Sequence, residues 1–301
     1  MPSRRHKPPP HPLEGRTERP RIGLALGAGG ARGLAHIPML EVLDEFHIRP
    51  ARIAGTSMGA ILGAAYAAGV SGRELRQHVI DMVKDRPRVM ARLLQARVGK
   101  IADLFSSRFG NPVLVDGEKL LDLFWPEAVP DRFEDLPIPF QAVATDFGGR
   151  CSTVFSGGAL VTGVAASMAI PGLIKPVQAS SRIYIDGGTT NPLPFDLAAE
   201  DCDLVIAVDV TGGPPDGKPP PEAMDAIFGA TQIMQGSIVS LMLQTHRPDI
   251  LVRPEVSEFR ALDFFKVSAI LRAAEPAKEQ FRRDLAEALA YSVSAAPKRS
   301  S

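Results

Sequence analysis

The sequence is poor in cysteine, in aromatic residues and in net charge. Only two cysteines, Cys151 and Cys202, occur among 301 residues, too few for a disulfide framework or a metal cluster. We expect both to be buried thiols, because free cysteine is usually buried. Aromatic residues make up 6% of the chain, and 34 basic residues balance 34 acidic ones. We therefore predict no nucleic-acid partner, since the chain offers neither a positive field nor a stacking surface.

Long apolar runs are also missing. No unbroken run approaches the roughly 18 residues that span a bilayer, and the first 21 residues hold no apolar segment like that of a secretory signal. We therefore predict a cytoplasmic protein. Residues 1–20 are rich in proline and are predicted to form a disordered tail. The first 21 residues carry six lysines and arginines against two glutamates, which suits either a solvated tail or a weak contact with an anionic surface.

The order of the predicted elements favours an α/β fold. Short apolar stretches such as IGLAL, RIAG and DLVIAVDV alternate with segments of helical spacing. DLVIAVDV is apolar throughout, which is typical of a strand covered on both faces. We predict a three-layer α/β/α architecture with a mostly parallel central sheet. Nothing splits the chain after the tail, so a core over residues 21–211 continues into a helical part of the same domain over 212–301.

Local signals add detail to this outline. Ser71 and Glu74 form an S-x-x-E capping box, which predicts the start of a helix. Pro38 stands within the helical pattern of residues 34–46, where a proline is expected to kink the helix. Residues 87–110 alternate basic and apolar side chains. They are predicted to form either an ordinary surface helix or a basic amphipathic helix that touches lipid.

The segment Gly55-Thr56-Ser57-Met58-Gly59 is a G-x-S-x-G motif between a predicted strand and a predicted helix. This context is that of a nucleophile elbow, in which a sharp turn presents the serine hydroxyl. Gly55 and Gly59 let the strand and the helix approach each other closely. We therefore predict Ser57 to be a nucleophile, the alternative being a loop serine that caps the helix.

A glycine-rich turn, Gly27–Gly33, follows the first predicted strand. Such a turn can hold a dinucleotide pyrophosphate, but the spacing departs from G-x-G-x-x-G, because Arg32 occupies the last glycine position. Opposite a nucleophile elbow, its amides suit an oxyanion hole. We predict Gly29 and Gly30 to be the donors, with Arg32 anchoring the loop or stabilising the charge.

Another predicted strand ends at Asp186-Gly187-Gly188. The two glycines indicate a tight turn that presents the carboxylate at the edge of the sheet, where α/β active sites form. An aspartate in an ordinary β-turn gives the same local pattern. The residues alone therefore leave the role of Asp186 open.

In order and context, these motifs resemble the patatin-like phospholipase family, especially its bacterial branch related to the catalytic domain of neuropathy target esterase. The resemblance covers residues 21–211 and rests on the following stretches: GLALGAGGARGLAHIPMLEVLDE, IAGTSMGAILGAAYAAG, ATDFGGRCSTVFSGG, AASMAIPGLIKPV, IYIDGGTTNPLPFDLA and DLVIAVDV.

The resemblance implies a patatin-like fold and a catalytic dyad of Ser57 and Asp186. It places the oxyanion loop at Gly29, Gly30 and Arg32. It also implies hydrolysis of an acyl ester in a lipid or lysophospholipid, without a metal or another cofactor. We add as expectations a transient contact with a membrane surface, on its inner face, and an acyl channel lined by apolar residues within 87–125 and 223–246. The sequence departs from many members of the family at Ala28, where they have glycine, and at Pro38.

Three alternatives stay open. His246 is the one histidine whose place in the chain fits a Ser–Asp–His order, so a triad competes with the dyad. The chain could also be a non-catalytic lipid-binding or regulatory protein that retains the fold. A nucleotide-binding enzyme is the third alternative, and it depends on the glycine-rich turn alone.

Overall fold

A computed structural model describes residues 20–84, 115–212 and 223–294, together with positions 87, 89 and 91. The predicted tail at 1–20, apart from Pro20, and most of the stretch 87–110 lie outside these ranges. The predictions made for those two segments therefore stay predictions.

Eight strands form one sheet in the order β5-β6-β3-β2-β1-β7-β8, with β4 paired to β3. Neighbours along β3, β2, β1, β7 and β8 are parallel, whereas the pairs β3–β4, β3–β6 and β5–β6 are antiparallel. This is the mostly parallel sheet that the sequence predicts. The strands are β1 (Ile22–Leu26), β2 (Arg52–Thr56), β3 (Phe140–Asp146), β4 (Cys151–Phe155), β5 (Val177–Ala179), β6 (Arg182–Asp186), β7 (Leu204–Val208) and β8 (Ile250–Val252).

The described helices cover both faces of the sheet, which confirms the three-layer α/β/α architecture. The larger core lies beneath α1 to α5, α8 and α9, and the smaller core lies beneath α6 and α7. The α-helices are α1 (His36–Glu45), α2 (Met58–Ala67), α3 (Gly72–Lys84), α4 (Gly117–Phe124), α5 (Leu160–Ser167), α6 (Phe195–Ala198), α7 (Ala223–Thr245), α8 (Val267–Ala273) and α9 (Glu275–Ser294). Short 3-10 helices cover Gly30–Ala35, Phe133–Asp135, Gly187–Thr189 and Phe264–Lys266.

Strand β1 shows how the sequence separates the two faces. Ile22, Leu24 and Leu26 point into the larger core, and Ala25 points into the smaller one, as the alternation of a strand requires. Gly23 faces α6 so closely that an added Cβ would lie 1.9 Å from the carbonyl oxygen of Ala198. The small residues therefore allow α6 to pack directly on the strand.

Helix α7 overturns the expectation that no segment is long and apolar enough to cross a membrane. Within the described residues, one stretch, Ala226–Thr245, has that length and composition, and it contains no charged residue. Its scattered serine, threonine and glutamine side chains interrupt the apolar residues, so no long unbroken apolar run marks this helix in the sequence. One such helix is weak evidence for a membrane span. Here the helix packs on the core through Gln232, Gln235 and Val239, while most of the segment stays exposed.

Two smaller expectations are also wrong. Cys151 is exposed and Cys202 is half-buried, since Cys151 begins β4, whose side chains are mostly open to solvent. Pro38 does not fall in the interior of a helix. The helical pattern divides into the 3-10 helix Gly30–Ala35 and α1, so Pro38 occupies the first turn of α1. Proline is tolerated in the first turn of an α-helix, although the 3-10 helix runs directly into α1 and the His36 N–H donates to the Gly33 carbonyl oxygen.

Candidate active site

Strands β2 and β6 meet end to end along one edge of β3. Thr56, at the end of β2, pairs with Val143, and Asp186, at the end of β6, pairs with the next residue, Ala144. Strand β4 pairs with Ala142–Asp146 and so occupies the opposite edge of β3. Since β2 is parallel and β6 antiparallel to β3, the residue that follows β2 faces the last residue of β6.

Ser57 occupies the turn between β2 and α2, as the G-x-S-x-G motif predicts. Its backbone has φ 56° and ψ −119°, a strained conformation for a residue with a side chain. A Cβ added at Gly59 would lie 2.1 Å from the Leu26 carbonyl oxygen. A Cβ added at Gly55 would lie 2.5 Å from the Gly59 carbonyl oxygen. Both motif glycines are therefore required for the close approach of strand and helix.

The Asp186 carboxylate is held at both of its oxygens. The Ser57 hydroxyl donates to Oδ2 at 2.6 Å, and the Gly188 N–H donates to Oδ1 at 2.7 Å. Burial raises the pKa of Asp186 to about 6, although these two hydrogen bonds oppose that rise. The Ser57 hydroxyl thus donates a hydrogen bond directly to a carboxylate that is more basic than that of an exposed aspartate.

Two buried hydroxyl groups that the sequence analysis did not single out support this pair. Ser167, in α5, accepts the N–H of Ser57 at its Oγ at 2.9 Å. Thr145, in β3, donates its hydroxyl to the Asp186 carbonyl oxygen at 3.0 Å. Both lie in stretches that carry the family resemblance, AASMAIPG and ATDFGG. The available signal was therefore a polar residue in an otherwise apolar buried element.

The glycine-rich turn lies beside Ser57 with two amides unused. The N–H groups of Gly27, Ala28 and Ala31 donate to the carbonyl oxygens of Val208, Pro192 and Ala261. In the part of the chain that the structure describes, Gly29 and Gly30 have no such acceptor. Gly30 has φ +58°, and an added Cβ would lie 2.4 Å from the carbonyl oxygen of Ala261. Only glycine fits this position.

Arg32 lies behind the turn and is almost completely buried. Its Nε donates to the Gly29 carbonyl oxygen at 3.4 Å, and its Nη1 lies where a Cβ of Gly212 would stand. Burial lowers the pKa of Arg32 to about 10, while the Asp209 carboxylate opposes this effect. Of the two roles expected for Arg32, this position corresponds to anchoring the loop.

His36 also holds the turn, and the sequence analysis did not identify it. The fully buried ring contacts the Gly27 carbonyl oxygen through Nε2 at 2.8 Å. Burial lowers the pKa of His36 to about 4, so the ring is neutral near pH 7. A neutral ring that donates from Nε2 supports the turn without adding charge.

The turn after β6 is equally tight. A Cβ at Gly187 would lie 2.0 Å from the Val143 carbonyl oxygen, and one at Gly188 would lie 2.3 Å from Nε2 of Gln235. The buried amide of Gln235, on α7, thus packs against the turn that holds Asp186. No motif signals this contact, because a glutamine in an apolar helix has no characteristic pattern.

A cavity of about 470 Å³ opens beside the pair and is lined almost entirely by apolar side chains. Ser57, Met58 and Gly30 form part of its wall, with Trp125 and Phe264 among the apolar residues. The expected contribution of 87–125 holds for five described residues, namely Val89, Val115, Leu120, Leu121 and Trp125. The expected contribution of 223–246 is wrong for this cavity, because α7 lies on the other face of the sheet.

The positions of the histidines bear on the choice between a dyad and a triad. The bond between Ser57 and Asp186 is direct, and His246 is exposed just after the end of α7. His78 lies on the wall of the cavity. Among the described residues, no group of three or more His, Cys, Asp or Glu side chains is arranged to hold a metal ion.

The chain is similar to several known proteins. An uncharacterized NTE family protein of Mycobacterium tuberculosis is 38% identical over 194 residues, covering 64% of this chain and 50% of that protein. Lysophospholipase NTE1 of Saccharomyces cerevisiae is 27% identical over 83% of this chain and 16% of that protein. The chain thus spans about half the length of the mycobacterial relative. The crystal structure of VipD from Legionella pneumophila aligns with a TM-score of 0.47 and 13% identity, over 89% of this chain and 67% of that one. The family model for patatin-like phospholipases matches residues 24–199, and the chain therefore belongs to the patatin-like phospholipase family.

Proposed function

We propose that this protein is a serine lipid acyl hydrolase that uses Ser57 as nucleophile and Asp186 as base. The observation that carries the proposal is the 2.6 Å hydrogen bond from the Ser57 hydroxyl to Asp186 Oδ2, made at a strained elbow beside an apolar cavity. A serine hydroxyl needs a base to become nucleophilic. The raised pKa of Asp186 makes its carboxylate a better base than an exposed one.

In the first step, Asp186 Oδ2 takes the hydroxyl proton as Ser57 Oγ attacks the ester carbonyl carbon. The negative charge on the former carbonyl oxygen is stabilised by backbone N–H groups. Gly30 and Met58 are the candidate donors that share the cavity wall with Ser57, and Gly29 adds a further free amide. Met58 was not predicted as a donor, although its N–H is free because it begins α2.

The tetrahedral intermediate collapses when the lipid alcohol leaves and takes the proton from Asp186. An acyl ester of Ser57 remains. Water then gives a proton to Asp186 while its oxygen attacks the acyl carbon. When the bond between that carbon and Ser57 Oγ breaks, Asp186 returns the proton to Oγ, which releases the fatty acid and restores the hydroxyl of Ser57. The cycle consumes one water molecule for each ester bond, and no metal or other cofactor takes part in any step.

The cavity supports a lipid ester as the substrate. The wall of the cavity is apolar, and its volume is large enough for an acyl chain. We therefore propose a phospholipid, a lysophospholipid or a related lipid ester as the substrate. The printed name of the yeast relative, lysophospholipase, supports this class. Hydrolysis of such lipids would take place at a membrane surface. The cytoplasmic location at the inner face of a membrane stays a prediction.

A fluorophosphonate probe tests the proposal, because it labels only an activated serine. The wild-type protein should be labelled and should hydrolyse a short-chain ester, whereas Ser57→Ala should lose both activities. Asp186→Asn should lower the rate of hydrolysis by about a thousandfold or more, because the hydroxyl loses its base. The exposed residues Ser152 and Asp201 provide matched controls, and Ser152→Ala and Asp201→Asn should keep both activities.

Folded wild-type protein that neither reacts with the probe nor hydrolyses esters would contradict the proposal. It would favour a lipid-binding protein that retains the fold. Saturating dinucleotide should leave the melting temperature unchanged, and a rise would indicate a nucleotide site instead.

A further inference from the structure

Helix α7 packs on the smaller core through Val239, Met242 and Leu243 in its second half, but it exposes apolar side chains in its first half. Its buried side carries the amides of Gln232 and Gln235, whereas its outer side exposes Ile227, Ile233 and Met234 by 56% or more. A surface helix normally buries its apolar side. The exposed apolar side of α7 is therefore a candidate interaction surface.

The first turns of α7 extend past the active site. Gln235 is level with Gly188, and the helix then continues along the sheet, where Val239 packs in the smaller core. Ile227 precedes Gln235 by eight residues, which places it about 12 Å beyond the catalytic pair at the rise of an α-helix.

The β3–β4 turn and the start of β6 reach the same level. Ile183 precedes Asp186 by three residues, which places it about 10 Å beyond the pair at the rise of a strand. The N–H of Phe147 donates to the Ile183 carbonyl oxygen at 2.9 Å, so the two residues are neighbours. Phe147 is 63% exposed and Ile183 is 48% exposed. Two separate elements thus present apolar side chains at one height.

The charges around these residues suit a phospholipid surface. Asp225 is the one charged residue within α7, and residues 226–245 contain none, so most of the helix offers no ion pair to a protein partner. Beside Phe147, Arg150 and Arg182 outnumber Asp146, with which Arg182 is paired. Apolar side chains flanked by arginine complement a layer of acyl chains beneath phosphate head groups.

We propose that this end of the molecule, formed by Phe147, Ile183 and Ile227, with Ile233 and Met234 behind them on the outer side of α7, docks on a phospholipid surface. We call it the docking end. The inference rests on the proposed function, because a lipid hydrolase must reach its substrate at such a surface. It favours lipid over a second copy of the chain because Phe147, Ile183 and Ile227, from two separate elements, extend a similar distance beyond the catalytic pair, as contact with a plane requires.

Vesicle flotation tests the docking end, with vesicles of phosphatidylcholine and phosphatidylglycerol. Phe147→Ser and the double variant Ile227→Ser/Ile233→Ser should each lower the vesicle partition coefficient by about tenfold, since each removes apolar area from the lipid. Leu241→Ser is the matched control, because Leu241 is 62% exposed on the same helix but lies past Gln235, away from the docking end. Leu241→Ser should leave the partition unchanged.

Fluorophosphonate labelling in the absence of vesicles should be equal in all of these variants, which shows that they fold. The Ser57→Ala variant should still float with vesicles, so docking can be confirmed even if hydrolysis is not found. Equal partition of wild type and docking-end variants would overturn the inference. An equal loss of vesicle partition in Leu241→Ser would also overturn it. So would a wild-type dimer in light scattering that only the docking-end variants dissociate, because a second copy of the chain would then cover this surface.

Discussion

The hydroxyl of Ser57 donates to the carboxylate of Asp186 at 2.6 Å, although 129 positions separate the two residues in the chain. The contact exists because the C-terminal ends of β2 and β6 meet along one edge of β3. Thr145, the residue of β3 after Ala144, then holds the Asp186 carbonyl oxygen. The backbone of the sheet, and not a flexible loop, therefore sets the distance between nucleophile and base.

The first prediction concerns the pH dependence of hydrolysis. The base must be ionised to accept the proton, and the pKa of Asp186 is raised to about 6 by burial. The value of kcat/KM should therefore rise with pH through an apparent pKa of about 6 and then level off. Steady-state rates with a soluble short-chain ester measure this profile. A kcat/KM that stays constant between about pH 4 and 7 would contradict the role of Asp186 as base.

The second prediction concerns Ser167, whose hydroxyl accepts the Ser57 N–H. Ser167→Ala leaves a buried N–H without an acceptor, which costs about 1–3 kcal/mol. The strained elbow at Ser57 should relax and misplace the nucleophile. We expect kcat to fall by about tenfold or more, because misplacement acts on the chemical step.

Steady-state kinetics separates this positioning role from a purely structural one. If Ser167 only stabilises the fold, Ser167→Ala should lower the melting temperature and leave kcat of the folded enzyme unchanged. The exposed Ser152→Ala serves as the control for both measurements.

How much of this site the sequence foretells depends on the range of the interactions. Strand β1 was predicted with the bounds that it has. The capping box at Ser71 and Glu74 forms as predicted, because the Ser71 N–H donates to the Glu74 carboxylate at 2.8 Å and the Glu74 N–H donates to the Ser71 hydroxyl at 3.2 Å. Both depend on neighbouring residues. The head-to-head contact of β2 and β6 depends on pairing with β3, which local patterns do not encode. For this reason the residues alone identified Ser57, whereas Asp186 needed the family resemblance.

The third prediction concerns the pH dependence of stability. Burial lowers the pKa of His36 to about 4 in the folded protein, against about 6.5 in an unfolded chain. Between these values the unfolded state binds more protons, so this group makes stability rise with pH over that window. Asp186 acts in the opposite sense: its folded pKa of about 6 exceeds the unfolded value of about 3.9, so its contribution falls as pH rises.

Variants separate the two groups. Glutamine can keep the donor to the Gly27 carbonyl oxygen but does not titrate, so His36→Gln should remove the rise and leave the fall caused by Asp186. Asp186→Asn should instead leave the rise caused by His36. Urea denaturation between about pH 4 and 7 measures both slopes. A wild-type slope that neither variant changes would contradict both assignments.

The last prediction decides between a dyad and a triad. His246 is exposed just after α7, eleven residues past Gln235, which is level with the catalytic turn. At the rise of an α-helix this is about 16 Å along the axis, too far for a hydrogen bond to Asp186. His246→Ala should therefore keep kcat/KM within about twofold of wild type, as expected for an exposed residue outside the site. Asp186→Asn, measured with the same ester, should lose nearly all activity. If His246→Ala fell to the level of Ser57→Ala, the base would be a histidine, and α7 would have to move for it to reach the serine.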